Sequence, residues 1–389
     1  MSMIYFDNAA TTKPFDCVID AMSVFSKEHF FNASALYKGG MVVDKLVGEA
    51  RGVVADKLGV DAGELYFTSS ATEANNWVLL NGIKNKKGNV VISKGEHTSV
   101  YECGNVLKSR GLEVRWVELK KDGTIDVEDL MKKVDESSCL VSIIHASNET
   151  GAINDIESIG RMIKSKSPNA LFHADGAAAF GKIGCKTGGF RVFVGTISHR
   201  VLDFYTISAH KVCGPKGIGA LYINKNRNIA PFIVGGGQER GMRSGTENTA
   251  GIIGFYKAVD KFFSLQAAGS GHIIREIHDF IRQSLTQNGW IYNGAENTTG
   301  YILSLSNPKI KAEVLMRLLS EEDVLIGLGS ACANKLSQNR VLSALGATKA
   351  QVEGSIRLSF SPLNTMGEAE IAVQKIVQKQ KLLEGKLIK

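Results

Sequence analysis

The sequence predicts an α/β protein, with a large domain on a mostly parallel sheet and a smaller α+β domain beside it. Three observations carry that expectation. Between residues 64 and 223, short runs of β-branched and aromatic residues alternate with stretches of helical periodicity. This is how a parallel sheet covered by helices on both faces reads. Polar or glycine-containing turns follow many of these runs, and ligands of such sheets sit beyond the carboxyl ends of the strands. From Ile252 the pattern changes to long amphipathic helices, followed by a second cluster of strands and helices.

Taken in order, residues 3–12 read as a short strand entering a polar turn, and Pro14 opens a helical stretch. Residues 30–34 are an irregular polar break before a helix over 41–58. Asn32, in that break, either faces a ligand or satisfies its own turn. Strands are expected at 64–68, 90–93, 114–117, 140–144, 171–174, 204–207 and 218–223. The helices between them span 72–83, 98–109, 127–134 and 156–165. Helices at 252–266 and 274–287, with strands at 301–306 and 355–359, belong to the second cluster. This places the large domain at 15–255 and the small one at 1–14 plus 256–389.

Composition limits the function classes. The 46 basic and 39 acidic residues leave a net charge of +7 spread along the chain. Lys84, Lys86, Lys87, Lys108 and Arg110 alternate with acidic residues rather than clustering, so a nucleic-acid patch is not expected. No apolar run is long enough to span a bilayer and no secretory signal order is visible. The six cysteines form no C-x-x-C pair, which suits reduced thiols in a cytoplasm, and no metal site is expected.

The residues that could carry chemistry stand at strand ends or in turns. Lys211 lies between a strand and the Gly214-Pro215 turn. A lysine held in a dehydrated pocket loses its charge readily and can form a Schiff base with an aldehyde; in a loop it could equally be a surface lysine. The 68–73 stretch leaves backbone N–H groups at a helix start, suited to an anion, though Ser70 or Thr72 could simply cap that helix. His97 follows the next strand, where it could stack on an aromatic cofactor, shuttle protons or cap a helix. Asn148 offers an amide after another strand. Asp175, ending a further one, would need a cation or donors if buried, or would cap a helix. The glycine-rich 235–246 stretch carries Arg240 and Arg243, suited to a phosphate or carboxylate, or is a flexible loop. Cys332 lies in a small-residue loop where a thiol would be accessible. Arg357 lies in an apolar strand-like run and needs an anion, which a substrate carboxylate or a structural acid would provide.

Together these motifs resemble those of the cysteine desulfurases, within the class V aminotransferase-like pyridoxal phosphate enzymes. The resemblance runs over nearly the whole chain. It rests on 5–12, 68–76, Glu96-His97, Asn148-Glu149, 173–175, 208–211, 214–217, 240–246, 329–332 and 355–357. It implies a fold-type-I homodimer with pyridoxal 5′-phosphate linked to Lys211, Asp175 pairing with the pyridine nitrogen and His97 stacking on the ring as a catalytic residue. Ala71, Thr72, Ser208, His210 and a second copy's Thr246 are implied for the phosphate. Asn148, Asn32 and Arg357 are implied to face L-cysteine, with Arg357 on its carboxylate. Cys332 would take the sulfur as a persulfide, alanine would leave, and an acceptor protein or small thiol would collect the sulfur.

The chain departs from the family at Ala178, where a glutamine is usual, at Ser70, where a glycine is usual, and in an apparent insertion near 188–200. A selenocysteine lyase or a related class V enzyme, and a catalytically weakened scaffold in a sulfur-transfer complex, are the other readings open to the sequence.

Overall fold

The computed structural model describes residues 3–83, 88–183, 201–328 and 340–386. The chain opens with β1 (Ile4–Phe6), α1 (Asp16–Glu28) and α2 (Lys38–Leu58). It continues through β2 (Leu65–Thr68), α3 (Ala71–Asn81), β3 (Asn89–Ser93), α4 (Thr98–Ser109) and β4 (Glu113–Val117). Then come α5 (Val127–Lys133), β5 (Ser138–Ser142), α6 (Ile156–Lys166), β6 (Leu171–Asp175), β7 (Phe204–Ser208) and β8 (Gly219–Ile223). The long helices α7 (Thr249–Ala267) and α8 (Ser270–Gln287) lead to β9 (Ile291–Tyr292), β10 (Ile302–Ser306), α9 (Ala312–Ser320) and β11 (Val324–Leu328). Two short helices, α10 (Arg340–Ala344) and α11 (Lys349–Glu353), precede β12 (Ser355–Ser359) and α12 (Met366–Lys386).

Seven strands form the large sheet in the order β2-β8-β7-β6-β5-β3-β4. All its pairings are parallel except those of β8, which runs against both β2 and β7. The cause is chain length: only ten residues join β7 to β8, too few for a parallel crossover. Strands β3, β7 and β8 are buried at every position, as expected of strands covered on both faces. The edge strand β4 is more exposed, and its Arg115 pairs with Glu113 and Asp135, which blunts the edge with charge.

The second sheet has the order β1-β11-β12-β10-β9. Here the start of the chain joins its end, because β1 lies parallel to β11 with Tyr5 opposite Leu325. Asn8 Nδ2 donates to the carbonyl of Ser359 at 2.9 Å, and the Ala9 N–H donates to Ser359 Oγ at 2.7 Å. Helix α7 packs on α1 and α2, while α12 packs on α8 and α9. Among the described residues, no helix is long and apolar enough to cross a membrane.

The core encloses polar groups that bear on stability. His173 shares hydrogen bonds with Ser142 Oγ at 2.8 Å and Thr206 Oγ1 at 3.1 Å, and His145 with Tyr205 Oη at 2.7 Å. Burial lowers both imidazoles to about 4, against a partial opposing pull from Asp175 on His173 and from Asp155 on His145. Between about pH 6.5 and 4 the unfolded chain takes up protons that the folded one refuses, so this stability is complete above the window and is lost as pH falls through it. We expect the calorimetric unfolding midpoint to drop steadily from about pH 6.5 to 4.5; a level midpoint there would contradict it.

Candidate active site

A cavity of about 360 Å³ opens beyond the carboxyl ends of β6 and β7, closed on one side by the second sheet and the residues after β1. Asp175, the last residue of β6, is 2% exposed and held at both oxygens: Asn75 Nδ2 donates to its Oδ2 at 2.8 Å and the Ala177 N–H to its Oδ1 at 2.9 Å, which leaves each oxygen one acceptor site. Asn75 also donates to Ser99 Oγ at 2.9 Å, and Ser99 Oγ lies 2.8 Å from His97 Nδ1. His97 caps α4, its Nδ1 accepting the Ser99 N–H at 3.2 Å. That acceptance fixes the neutral tautomer with its proton on Nε2. Burial lowers the His97 pKa, Asp175 opposes this, and Lys211, Arg340 and Arg357 add to it.

Lys211 ends a single tight turn that follows β7. Its Nζ donates to the carbonyls of Ala9 and Ala10, the latter at 3.0 Å. Burial lowers its pKa to about 7, with Lys182 and Arg357 lowering it further and Asp175 and Asp7 opposing. A lysine that is half uncharged at neutral pH is the nucleophile a Schiff base requires.

The end of the cavity suited to an anion lies at the start of α3. Ser70 caps the helix by accepting the Glu73 N–H at 3.2 Å, so its hydroxyl is engaged in the cap. In a helix's first turn the N–H groups, here those of Ala71 and Thr72, have no intrahelical acceptor. Gly219 of β8 passes so close that a Cβ would lie 2.8 Å from the Ser70 carbonyl carbon and 3.1 Å from the Ala71 nitrogen. Ser208 Oγ, buried at the end of β7, has no hydrogen-bond partner. A buried donor without a partner, on a residue paired with the Gly219 that passes these N–H groups, fits a phosphate ester.

The opposite wall carries Arg357, in the middle of β12. Its Nη2 donates to Asp7 Oδ1 and its Nη1 to the Asn148 carbonyl, each at 3.1 Å, while its Nε has no partner. Glu149 sits 4.0 Å from Arg357, and burial raises its pKa against the pull of that guanidinium. Arg340, the first residue of α10, donates to the carbonyls of Lys94 and Glu96 and lies 4.0 Å from the Tyr101 ring centroid.

Of the residues singled out in the sequence, Ala71, Thr72, His97, Asn148, Asp175, His210, Lys211 and Arg357 line this one cavity. Ser208 lies buried at the end of the strand that leads to Lys211. Asn32 and Thr246 are not brought there within one chain. Asn32 is exposed and accepts the Ser34 N–H at 2.9 Å, closing its own turn. Thr246 lines a separate pocket with Ser69, Gly217 and Arg243. The two arginines of the 235–246 stretch already have partners: Arg243 pairs with Glu73 at 2.8 Å, and Arg240 donates to the Leu65 carbonyl at 2.7 Å. Cys332 and the segment near 188–200 lie outside the described residues.

Glu96, Lys182 and Arg340, which line the cavity, and Asn75, which holds Asp175 from behind it, carried no role in the sequence reading. Glu96 had a signal, its place beside His97, and the other three had none that is local.

A reactive lysine facing a buried carboxylate, with an anion site at a helix start, defines an enzyme class: one that holds a phosphorylated aldehyde cofactor. The aminotransferase class-V family model matches residues 4–371. Cysteine desulfurase IscS 1 of Archaeoglobus fulgidus is 33% identical over 369 residues, covering 93% of each chain. Cysteine desulfurase IscS of Dictyoglomus turgidum is 34% identical, covering 93% of this chain and 90% of its own. A solved NifS-like protein superimposes with a TM-score of 0.89 at 32% identity, covering 98% of this chain and 100% of its own. The chain belongs to the class V aminotransferase family and, within it, to the cysteine desulfurases, a pyridoxal-phosphate-dependent group of fold type I.

Proposed function

We propose that the chain converts L-cysteine to L-alanine, with pyridoxal 5′-phosphate as cofactor and Cys332 as the first acceptor of the sulfur. The carrying observation is that Lys211, Asp175, His97 and Arg357 line one cavity. Ala71, Thr72, Ser208 and His210 would hold the phosphate, joined by Thr246 of a second copy. Asp175 would hold the ring nitrogen in its protonated state and His97 would cover the ring. When bound, pyridoxal phosphate supplies an electron sink that weakens the carbon–sulfur bond of the amino acid. Arg357, fixed by Asp7 and the Asn148 carbonyl, would bind the substrate carboxylate, with Asn148 and Asn32 assigned to the substrate as well. Lys211, half uncharged near pH 7, takes the proton from the substrate α-carbon. The Cys332 thiolate then attacks the substrate sulfur, the carbon–sulfur bond breaks, and the alanine carbon takes up a proton. An acceptor protein or a small thiol removes the sulfur from the persulfide.

Homodimer formation is part of this reading. Leu36 is 94% exposed and Val234 86% exposed, and the 33–34 and 236–240 segments beside them meet around one pocket. A second copy covering that face would bury both and supply Thr246. We divide the chain into a large domain over 15–255 and a small one over 1–14 plus 256–389, with the boundary inside α7. Reduced thiols at Cys17, Cys103 and Cys213 suit a cytoplasmic enzyme.

The test is to supply L-cysteine to the cofactor-loaded protein and measure alanine together with sulfur bound to Cys332. One sulfur should appear on Cys332 for each first-turnover alanine, and Cys332→Ala should lose cysteine turnover while keeping the visible cofactor band. Alanine formed without sulfur on the protein would favour a lyase. The absence of a Lys211-dependent band would favour a scaffold.

A further inference from the structure

Lys182 is a second lysine in the cavity of Lys211. It is 7% exposed and sits on a turn that begins at Asp175. That turn is pinned at several points. The Ala177 N–H donates to Asp175, the Lys182 N–H donates to the Ala179 carbonyl at 2.9 Å, and Gln266 Nε2 donates to the Gly181 carbonyl at 2.8 Å. Lys182 Nζ lies 5.7 Å from the centroid of the Tyr301 ring, within range of a cation–π attraction.

Among the described residues, no carboxylate stands within ion-pair distance of Lys182. The acids in and around the cavity are engaged elsewhere or neutral: Asp175 holds Asn75 and the Ala177 N–H, Asp7 holds Arg357, Glu149 stands beside Arg357, and Glu96, which accepts the Ile144 N–H, is raised well above the usual carboxylate range by burial and is a neutral acid. Cys213, which also faces Lys182, is raised to about 11 by burial and is a neutral thiol. Tyr301 is likewise raised by burial and stays un-ionised. Burial, followed by the nearby Lys211 and Lys182 charges, lowers His210 to about 3, so no second imidazolium competes. Lys182 therefore brings a buried positive charge to the cavity with no ion-paired acid among the described residues.

The hydrogen bonding of Lys211 matches a partner without charge. An uncharged amine has two hydrogens, and Lys211 Nζ has two acceptors, the carbonyls of Ala9 and Ala10. Its lone pair is then left for the cavity. An ammonium would carry a third hydrogen with no protein acceptor among the described residues.

We propose that Lys182 is a positioning residue for Lys211: beside the paired guanidiniums of Arg340 and Arg357 it adds an unpaired positive charge to the cavity, so that Lys211 is delivered as a free amine. Two like charges in a low-dielectric pocket repel strongly, and a neighbouring cation is an established means of activating an amine. Burial lowers Lys182 only to about 8, so it keeps most of its charge at neutral pH, whereas Lys211 is brought to about 7. The proposal rests on Lys211 being the amine that meets the cofactor.

The test uses the full-length protein freed of cofactor. The rate at which added pyridoxal 5′-phosphate develops its visible band is followed against pH in wild type, Lys182→Met and Lys182→Arg. For Lys182→Met the midpoint should rise by about one pH unit, slowing the reaction at pH 7 roughly five- to tenfold while leaving the rate at about pH 9.5 unchanged. Lys182→Arg should keep the wild-type midpoint. An unmoved midpoint in Lys182→Met, or an equal shift in Lys182→Arg, overturns the proposal. If the methionine variant does not fold, Lys182→Gln gives the same readout with a polar, uncharged side chain. A visible band that survives Lys211→Ala would instead overturn the assignment of Lys211, whatever Lys182 does.

Discussion

Replacing Lys211 with alanine is expected to reduce L-cysteine turnover by at least about 10⁴-fold, because in the proposed function one side chain supplies both the amine for the cofactor and the base for the substrate proton. No other described residue can substitute. Lys182 shares the cavity but sits on the turn after β6, whereas only Lys211 reaches the Ala9 and Ala10 carbonyls. Lys211→Arg should be nearly as inactive, since a guanidinium stays charged at any working pH. The measurement is single-turnover alanine formation, read with borohydride trapping of cofactor on the protein. Wild type should trap one cofactor per chain at Lys211, and the alanine variant none. Retained trapping at another lysine, with turnover within about tenfold of wild type, would refute the assignment.

Asp175→Ala is expected to cost about 10²–10³-fold in kcat, the range typical when one pre-organised electrostatic partner is removed from a water-poor site. The loss has two parts. The ring nitrogen would lose its carboxylate, and Asn75 would lose the acceptor that orients it toward Ser99 and, through Ser99, His97. Asp175 also opposes the lowering of Lys211, so the variant's Lys211 should titrate below the wild-type value. The sign is therefore specific: the variant should be slower, yet its amine should be uncharged at a lower pH. Asp175→Glu should recover little, because the pocket holding this carboxylate is set by the Ala177 N–H at 2.9 Å and Asn75 at 2.8 Å. A kcat within about threefold of wild type for Asp175→Ala would remove the basis of the proposed role.

The residues legible in the sequence share one property: their local surroundings announce them. Lys211, Asp175 and His97 each follow an apolar run and precede a turn or helix start, and sheet physics alone directs such positions to the ligand face. Arg357 stood out because a guanidinium inside a buried-looking strand demands an anion. The fold class was legible for the same reason, since strand and helix periodicities are local. Asn75 was not, because it is a mid-helix residue whose acceptor is 100 positions away. Lys182 was equally silent: what marks it is the lack of a neighbouring acid, a fact about three dimensions. The reversed β8 was readable in principle from its ten-residue link to β7. Asn32 and Thr246 lie outside the single-chain cavity, and no pattern within one copy says what a second copy contributes.

The strand at the beginning of the chain has a consequence for biosynthesis. Asp7 grips Arg357 across 350 positions of sequence, and Ala9 and Ala10 hold the amine of Lys211. A nascent chain that has made the whole of the large sheet still lacks β12 and its arginine, and β1 has no β11 to lie against. The site is therefore complete only after residue 359 has left the ribosome, and a product cut short before β12 lacks the arginine we assign to the substrate carboxylate.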